Sequence, residues 1–189
     1  MTRLSLTAAA AIAALAVGGT AHAQAMMTEN PMVGGAAMFA DRTIVENAVN
    51  SADHTTLVAA VQAAGLVETL SGRGPFTVFA PTNAAFDQLP AGTVDTLLEP
   101  GNIEMLRTVL TCHVASAEAM SAAVRGLTAD PSGTYAVPTL GGCTLRASLA
   151  GGMVRLADET GNVAMVTIPN VMQSNGVIHV IDTVMLPAM

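Results

Sequence analysis

Residues 74–86 read G-P-F-T-V-F-A-P-T-N-A-A-F. Phe76, Val78 and Ala80 alternate with Thr77 and Phe79, so the run is apolar at nearly every position, the pattern of a strand covered on both faces. Pro81 ends it, having no N–H to give a ladder, and Thr82 or Asn83 can then cap a short helix that carries Ala84, Ala85 and Phe86. The unit is strand, sharp turn, helix. Such a turn can hold a nucleophile or a phosphate, but there is no G-x-S-x-G, G-x-x-x-x-G-K or G-x-G-x-x-G here, so neither an esterase elbow nor a nucleotide cradle has its residues. No cofactor motif is present.

A second long motif closes the chain: Asn175 to Pro187 reads N-G-V-I-H-V-I-D-T-V-M-L-P. The Asn175-Gly176 pair suits a turn that sets up a strand. In that strand His179 shares a face with Val177 and Ile181, while Asp182 points the other way with Ile178, Val180 and Val184. A buried polar group in such a strand needs a hydrogen-bond partner. Together with 74–86 and in the same order, this motif resembles the paired signatures of fasciclin domains, and the resemblance runs from Thr43 to Pro187. It implies the fasciclin fold, an adhesive and non-catalytic role, and motif positions at Phe76, Thr77, Phe79, Pro81, Thr82, Asn83, Phe86, His113, Asn175, Gly176, His179 and Asp182. Where the family usually has a Tyr-His pair between the signatures, this chain has Cys112-His113-Val114, so any contact that depends on the phenol is missing. In the family the middle and last motifs lie close, which brings His113 towards His179.

Outward from these motifs, residues 1–23 have the form of a secretory signal peptide: Arg3, an apolar run from Leu4 to Gly19, then small residues at Ala21 and Ala23, with cleavage expected before Gln24. The exported chain is placed in the periplasm or outside the cell, without membrane insertion once the peptide is removed. Cleavage takes away Arg3 as its one charged residue, moving the formal charge from −7 to −8. With no lysine and the remaining arginines scattered singly, nucleic-acid binding is disfavoured. Residues 24–42 form a Met-, Gly- and Ala-rich arm with no helical or strand period. Its Met26, Met27, Met32 and Met38, with His54, His113 and His179, motivate an alternative function as a periplasmic copper or zinc handler, because thioethers are soft ligands that select Cu(I). The competing reading is that these methionines pack along the domain. Two histidines without a third ligand at a recognisable spacing specify no metal site.

From Thr43 the period is helical, with Ile44, Val45, Ala48 and Val49 on one face, then Leu57, Val58, Val61 and Ala64 on another stripe that stops at Gly65. Helices are also expected at 93–98, 103–110 and 117–125, with a short strand at Cys112-His113-Val114 between the last two. Cys112 and Cys143 are the two cysteines. In an exported protein they read first as one disulfide. Beyond Gly133, strands are expected at 135–138, 143–149, 153–158, 163–168 and 176–186, separated by glycine-containing turns. The fold class is therefore α+β, an antiparallel sandwich or wedge with helices packed against it. No nucleophile-base-orienter set can be assembled, so the chain is expected not to be an enzyme. Its expected partners are surface or matrix proteins, glycans, or another copy of itself.

Overall fold

The computed structural model describes residues 30–188. The signal segment and Met26 and Met27 lie outside them. The chain begins with a two-residue pair, β1 (Met32–Val33) and β2 (Ala36–Ala37), folded about Gly34 and Gly35, both at positive φ. Helices α1 (Ile44–Ala48), α2 (Thr55–Ala63) and α3 (Val67–Ser71) follow, then strand β3 (Phe76–Pro81) and α4 (Asn83–Asp87), α5 (Thr93–Leu98) and α6 (Ile103–Cys112). Next come β4 (Val114–Ser116), α7 (Ala117–Ala129), β5 (Tyr135–Pro138), β6 (Thr144–Ala150), β7 (Met153–Ala157), β8 (Val163–Gln173) and β9 (Gly176–Ile181). Among the described residues no helix is long and apolar enough to cross a membrane.

The seven longer-range strands form one sheet in the order β4-β3-β9-β8-β7-β6-β5. An Ala115–Thr139 bridge and the bond from Leu140 N to Val114 O, 2.7 Å, join its two ends, so the sheet closes into a barrel. Closure leaves no long edge to recruit a stray strand. The α+β class with helices against the sheet holds, but the sheet is neither a sandwich nor antiparallel throughout. Strands β3 and β9 run parallel, in register from Phe76–Gly176 to Pro81–Ile181. A parallel pair needs a long crossover, and here the helices and the whole meander supply it.

Two cores explain why β3 is apolar on both faces. Val78 and Ala80 pack with Ile178 and Val180 beneath α1, α2 and α6. Phe79 points the other way, into the barrel with Leu145, Leu156, Ile181 and Met185, under α7. Val33 and Met38 join the helix-side core, so the second half of the arm lies against its own domain. Gly34 is required there, because a Cβ would collide with Ser51 and with the backbone of Ala52 and Asp53.

Local boundaries follow their caps. The Thr43 hydroxyl accepts from Glu46 N while Glu46 accepts from Thr43 N at 2.8 Å, a capping box at the start of α1. Thr82, not Asn83, caps α4. Gly65, at φ +68°, ends α2. Cys112-His113-Val114 is not one strand: the helix ladder of α6 continues through Cys112, His113 N still bonds Leu110 O, and β4 starts at Val114. Strand β8 runs past the expected stop at Ile168, because Pro169 and Asn170 sit in bulges that absorb the missing N–H and the turn.

Cys112 and Cys143 form a disulfide, Cα–Cα 5.4 Å, that spans the closure between α6 and the β5–β6 turn. Tying a loop of this size lowers the entropy of the unfolded chain by an amount worth about 3 to 4 kcal/mol. The Cys112→Ser, Cys143→Ser double variant is accordingly expected to lose about 3 kcal/mol in urea unfolding with its native fold retained. A loss below about 1 kcal/mol would show that closure does not depend on the staple.

Candidate functional site

The motif residues converge where β3 and β9 lie side by side. Asn175, just before β9, accepts from Ile44 N at 3.0 Å through Oδ1 and donates through Nδ2 to Leu70 O at 2.7 Å and Gly72 O at 3.1 Å. Its carbonyl accepts from Phe76 N at 3.0 Å. One residue thus ties the start of α1 and the end of α3 through its side chain and the start of β3 through its main-chain carbonyl. Gly176 and Gly74 flank this latch, and a Cβ on either would run into the opposing Phe76 or Asn175 backbone. At the far end of β3, Asn83 does similar work. Its Oδ1 accepts from Thr56 N at 3.0 Å and Thr55 Oγ1 at 3.2 Å, and its Nδ2 donates to Ala52 O at 2.9 Å. Phe86 is buried beneath it and Phe76 half-buried at the strand's start, both in the helix-side core.

The two signature histidines do not share a site. Both flank Phe79, whose N–H donates to His113 O at 2.8 Å and whose ring stacks on His179 with centroids 5.8 Å apart. His113 is 2 % exposed; Nδ1 donates to Val109 O at 2.8 Å and Nε2 accepts from Met185 N at 3.0 Å, an arrangement that a neutral ring satisfies on both sides. His179 accepts at Nδ1 from Asn170 N, 3.2 Å away, an amide turned inward by the β8 bulge, where Asn170 has φ +58°. Burial pushes both rings down to about 4. His54, 3 % exposed, bonds Ser51 Oγ at 2.8 Å, and burial lowers it too. Its Nε2 has no partner among the described residues and borders a cavity of about 30 Å³ that Met38 also lines, room for about one water.

Asp182 lies just beyond β9, where Oδ1 accepts from Met165 N at 2.8 Å and from Thr183 Oγ1 at 3.1 Å. Thr77 and Pro81 are buried within β3. Of the methionines and histidines offered for copper or zinc, those among the described residues do not come together: Met32 is exposed, Met38 is in the core, and each of the three histidines has a ring nitrogen bonded to a protein group. Among the described residues no group of three or more His, Cys, Asp or Glu could hold a metal ion.

Several polar anchors escaped sequence reading. Asn47, fully buried, brackets Phe39 by accepting from its N–H at 3.0 Å and donating to its carbonyl at 2.7 Å, and it also donates to buried Gln173. Asp158 gathers donors from Thr160, Asn162 and Leu186. Burial alone would raise that carboxyl, but those donors outweigh it and hold the group below its ordinary value. The turn signal Thr160-Gly161-Asn162 marks the hairpin, yet only the fold brings Leu186 to the same carboxylate.

A closed barrel with helices packed against it, a parallel pair of signature strands and an asparagine latch at their common start define a fasciclin-type domain. The fasciclin domain pattern matches residues 52–187, and the chain belongs to that family. It is 46% identical over 177 residues to Protein sll1483 of Synechocystis, covering 93% of this chain and 91% of that one. It is 39% identical over 131 residues to the transforming growth factor-beta-induced protein ig-h3 of Sus scrofa, covering 69% of this chain and 17% of that protein. The FAS1 domain pair of the insect cell adhesion molecule fasciclin I shares the fold, with a TM-score of 0.64 at 19% identity, over 77% of this chain and 51% of that one.

A histidine buried neutral destabilises the fold once the unfolded chain can take a proton the folded chain refuses. With ordinary values of 6.5 and folded values of about 4, the contribution of His113 and His179 is complete above pH 6.5 and falls away between 6.5 and 4. Each accounts for on the order of 3 kcal/mol at most. The ring protons of both residues are expected to show NMR titration midpoints near pH 4, with unfolding free energy dropping as pH goes from 7 to 5. A midpoint near 6.5 at either ring would contradict this assignment.

Proposed function

We infer that this chain is an exported fasciclin domain that serves as a cell-adhesion or matrix-interaction module and carries no chemistry of its own. The observation that carries the reading is how the polar residues of the two signatures and of the motif between them are used. Asn83, His113, Asn175, His179 and Asp182 each bond to backbone groups that hold the fold. What such a domain offers a partner is its outer surface, with the barrel and helix layer as a rigid support. Membership of the fasciclin family, and a fold shared with an insect cell adhesion molecule, support the same reading. Export is supported by the form of residues 1–23.

The test pairs loss with gain. A deletion strain is expected to attach less well to surfaces and to sister cells, and beads coated with the protein beginning at Gln24 are expected to attach where bare beads do not. A strain that attaches normally, or turnover by the pure protein on a broad esterase and peptidase panel, would overturn the reading.

A further inference from the structure

Of the asparagines in the sequence, Asn175 alone is followed by glycine. With no Cβ on the following residue, its backbone nitrogen lies open to the asparagine's own side-chain carbonyl carbon, and the fold cannot avoid this pairing. Position 175 needs a side chain that accepts from Ile44 N and donates to the carbonyls of Leu70 and Gly72, which a primary amide does. Position 176 needs glycine, because a Cβ there would run into Phe76 O. The residue on which the junction of the two signatures rests is thus the chain's most labile amide.

Burial does not protect this dipeptide. Asn175 and Gly176 are half-buried and line an open groove of about 680 Å³, so water and hydroxide reach them. The protection is geometric. The Asn175 carbonyl holds Phe76 N at 3.0 Å, and Gly176 stands in register between Phe76 of β3 and Gln173 of β8. The side-chain amide is drawn to Ile44 N, Leu70 O and Gly72 O. Bringing Cγ onto the Gly176 nitrogen carries Oδ1 and Nδ2 with it and breaks all three bonds. At the usual net value of a hydrogen bond, three together hold the reactive geometry down by about a hundredfold.

We propose that Asn175-Gly176 is a deamidation site held shut by its own latch, so that the native chain keeps the amide while a chain that dwells unfolded loses it and cannot rebuild the junction. In the reaction the Gly176 amide gives its proton to hydroxide and its nitrogen bonds to Asn175 Cγ. The Cγ–Nδ2 bond breaks, and Nδ2 leaves as ammonia with a proton from water. Water then opens the succinimide ring at either carbonyl, to aspartate or to isoaspartate. One water is consumed and one ammonia released, with no oxidation or reduction. Either product sets a carboxylate, which has no hydrogen to donate, against Leu70 O and Gly72 O. Isoaspartate also lengthens the main chain by a methylene just where β9 must come into register with β3. Unfolding thereby becomes irreversible through chemistry rather than aggregation.

The test follows ammonia loss at Asn175 by peptide mapping that separates aspartate from isoaspartate. The chain beginning at Gln24 is incubated in mildly alkaline buffer, native and unfolded in urea, with a peptide of residues 171–179 in the same two buffers as the unstructured reference. Native Asn175 is expected to react about a hundredfold more slowly than the peptide. The unfolded chain should react at the peptide's rate, at Asn175 before any other asparagine. Deamidated chains, and the Asn175→Asp variant made directly, should refold with a lower urea midpoint and unprotected Ile44 amide, or fail to refold. A native rate close to the peptide's would overturn the protection. Deamidated or Asn175→Asp chains with the parent's midpoint would overturn the consequence.

Discussion

The structure depends on β3 lying parallel to β9 with Asn175 at their common start, its carbonyl receiving Phe76 N and its side chain anchoring that end to α1 and α3. Strand β3 is near the middle of the chain and β9 at its close, and no local turn can bring them together. Their pairing brings the helical first half and the meander of the second half onto one sheet. The latch makes that junction specific: Oδ1 is filled by Ile44 N and both Nδ2 hydrogens by the carbonyls of Leu70 and Gly72. An asparagine with its amide so occupied fixes α1 and α3 to the start of β9. Its loss would strand three backbone groups, and leaving buried polar groups unpaired costs more than a net hydrogen bond contributes.

Once the pair is set, sidedness distributes the rest. Alternate residues of β3 and β9 go to the helix-side core or into the barrel, so each strand must be apolar on both faces. Phe79 and Ile181 fill the barrel, and His113 and His179 flank Phe79 with their ring nitrogens on Met185 N and Asn170 N. The same burial that keeps these rings neutral keeps them from solvent and from each other.

Much of this was legible in the residues. The unbroken apolar run of β3 announced a doubly covered strand, Gly65 ended α2, and the glycine turns separated the strands of the meander. What could not be read was long-range or depended on compensation. Parallel pairing of β3 and β9 has no local signature. Cys112 and His113 follow Val109 and Leu110 in a run that suits strand or helix alike, and it is the α6 ladder, with its buried face on the helix-side core, that decides for helix. The continuation of β8 beyond Ile168 depends on bulges around Pro169 that are set by the partner strand. Asn47 and Gln173 are 126 residues apart, and nothing near either forecasts that they meet. At the site, the resemblance located Asn175, His113 and His179, but their roles as latch and as neutral, backbone-bound rings needed coordinates. Met38 could not be told from a ligand until it was seen in the core.

The most direct test of this account is the stability of Asn175→Ala, measured by urea unfolding together with amide hydrogen exchange. The account predicts a loss of about 2 to 4 kcal/mol, with the amides of Ile44, Phe76 and Val177 losing protection together because the side chain anchors, through α1 and α3, the residue whose carbonyl receives Phe76 N. Stability within about 0.5 kcal/mol of the parent, or faster exchange confined to Ile44, would contradict it and show that the parallel pair stands without the asparagine.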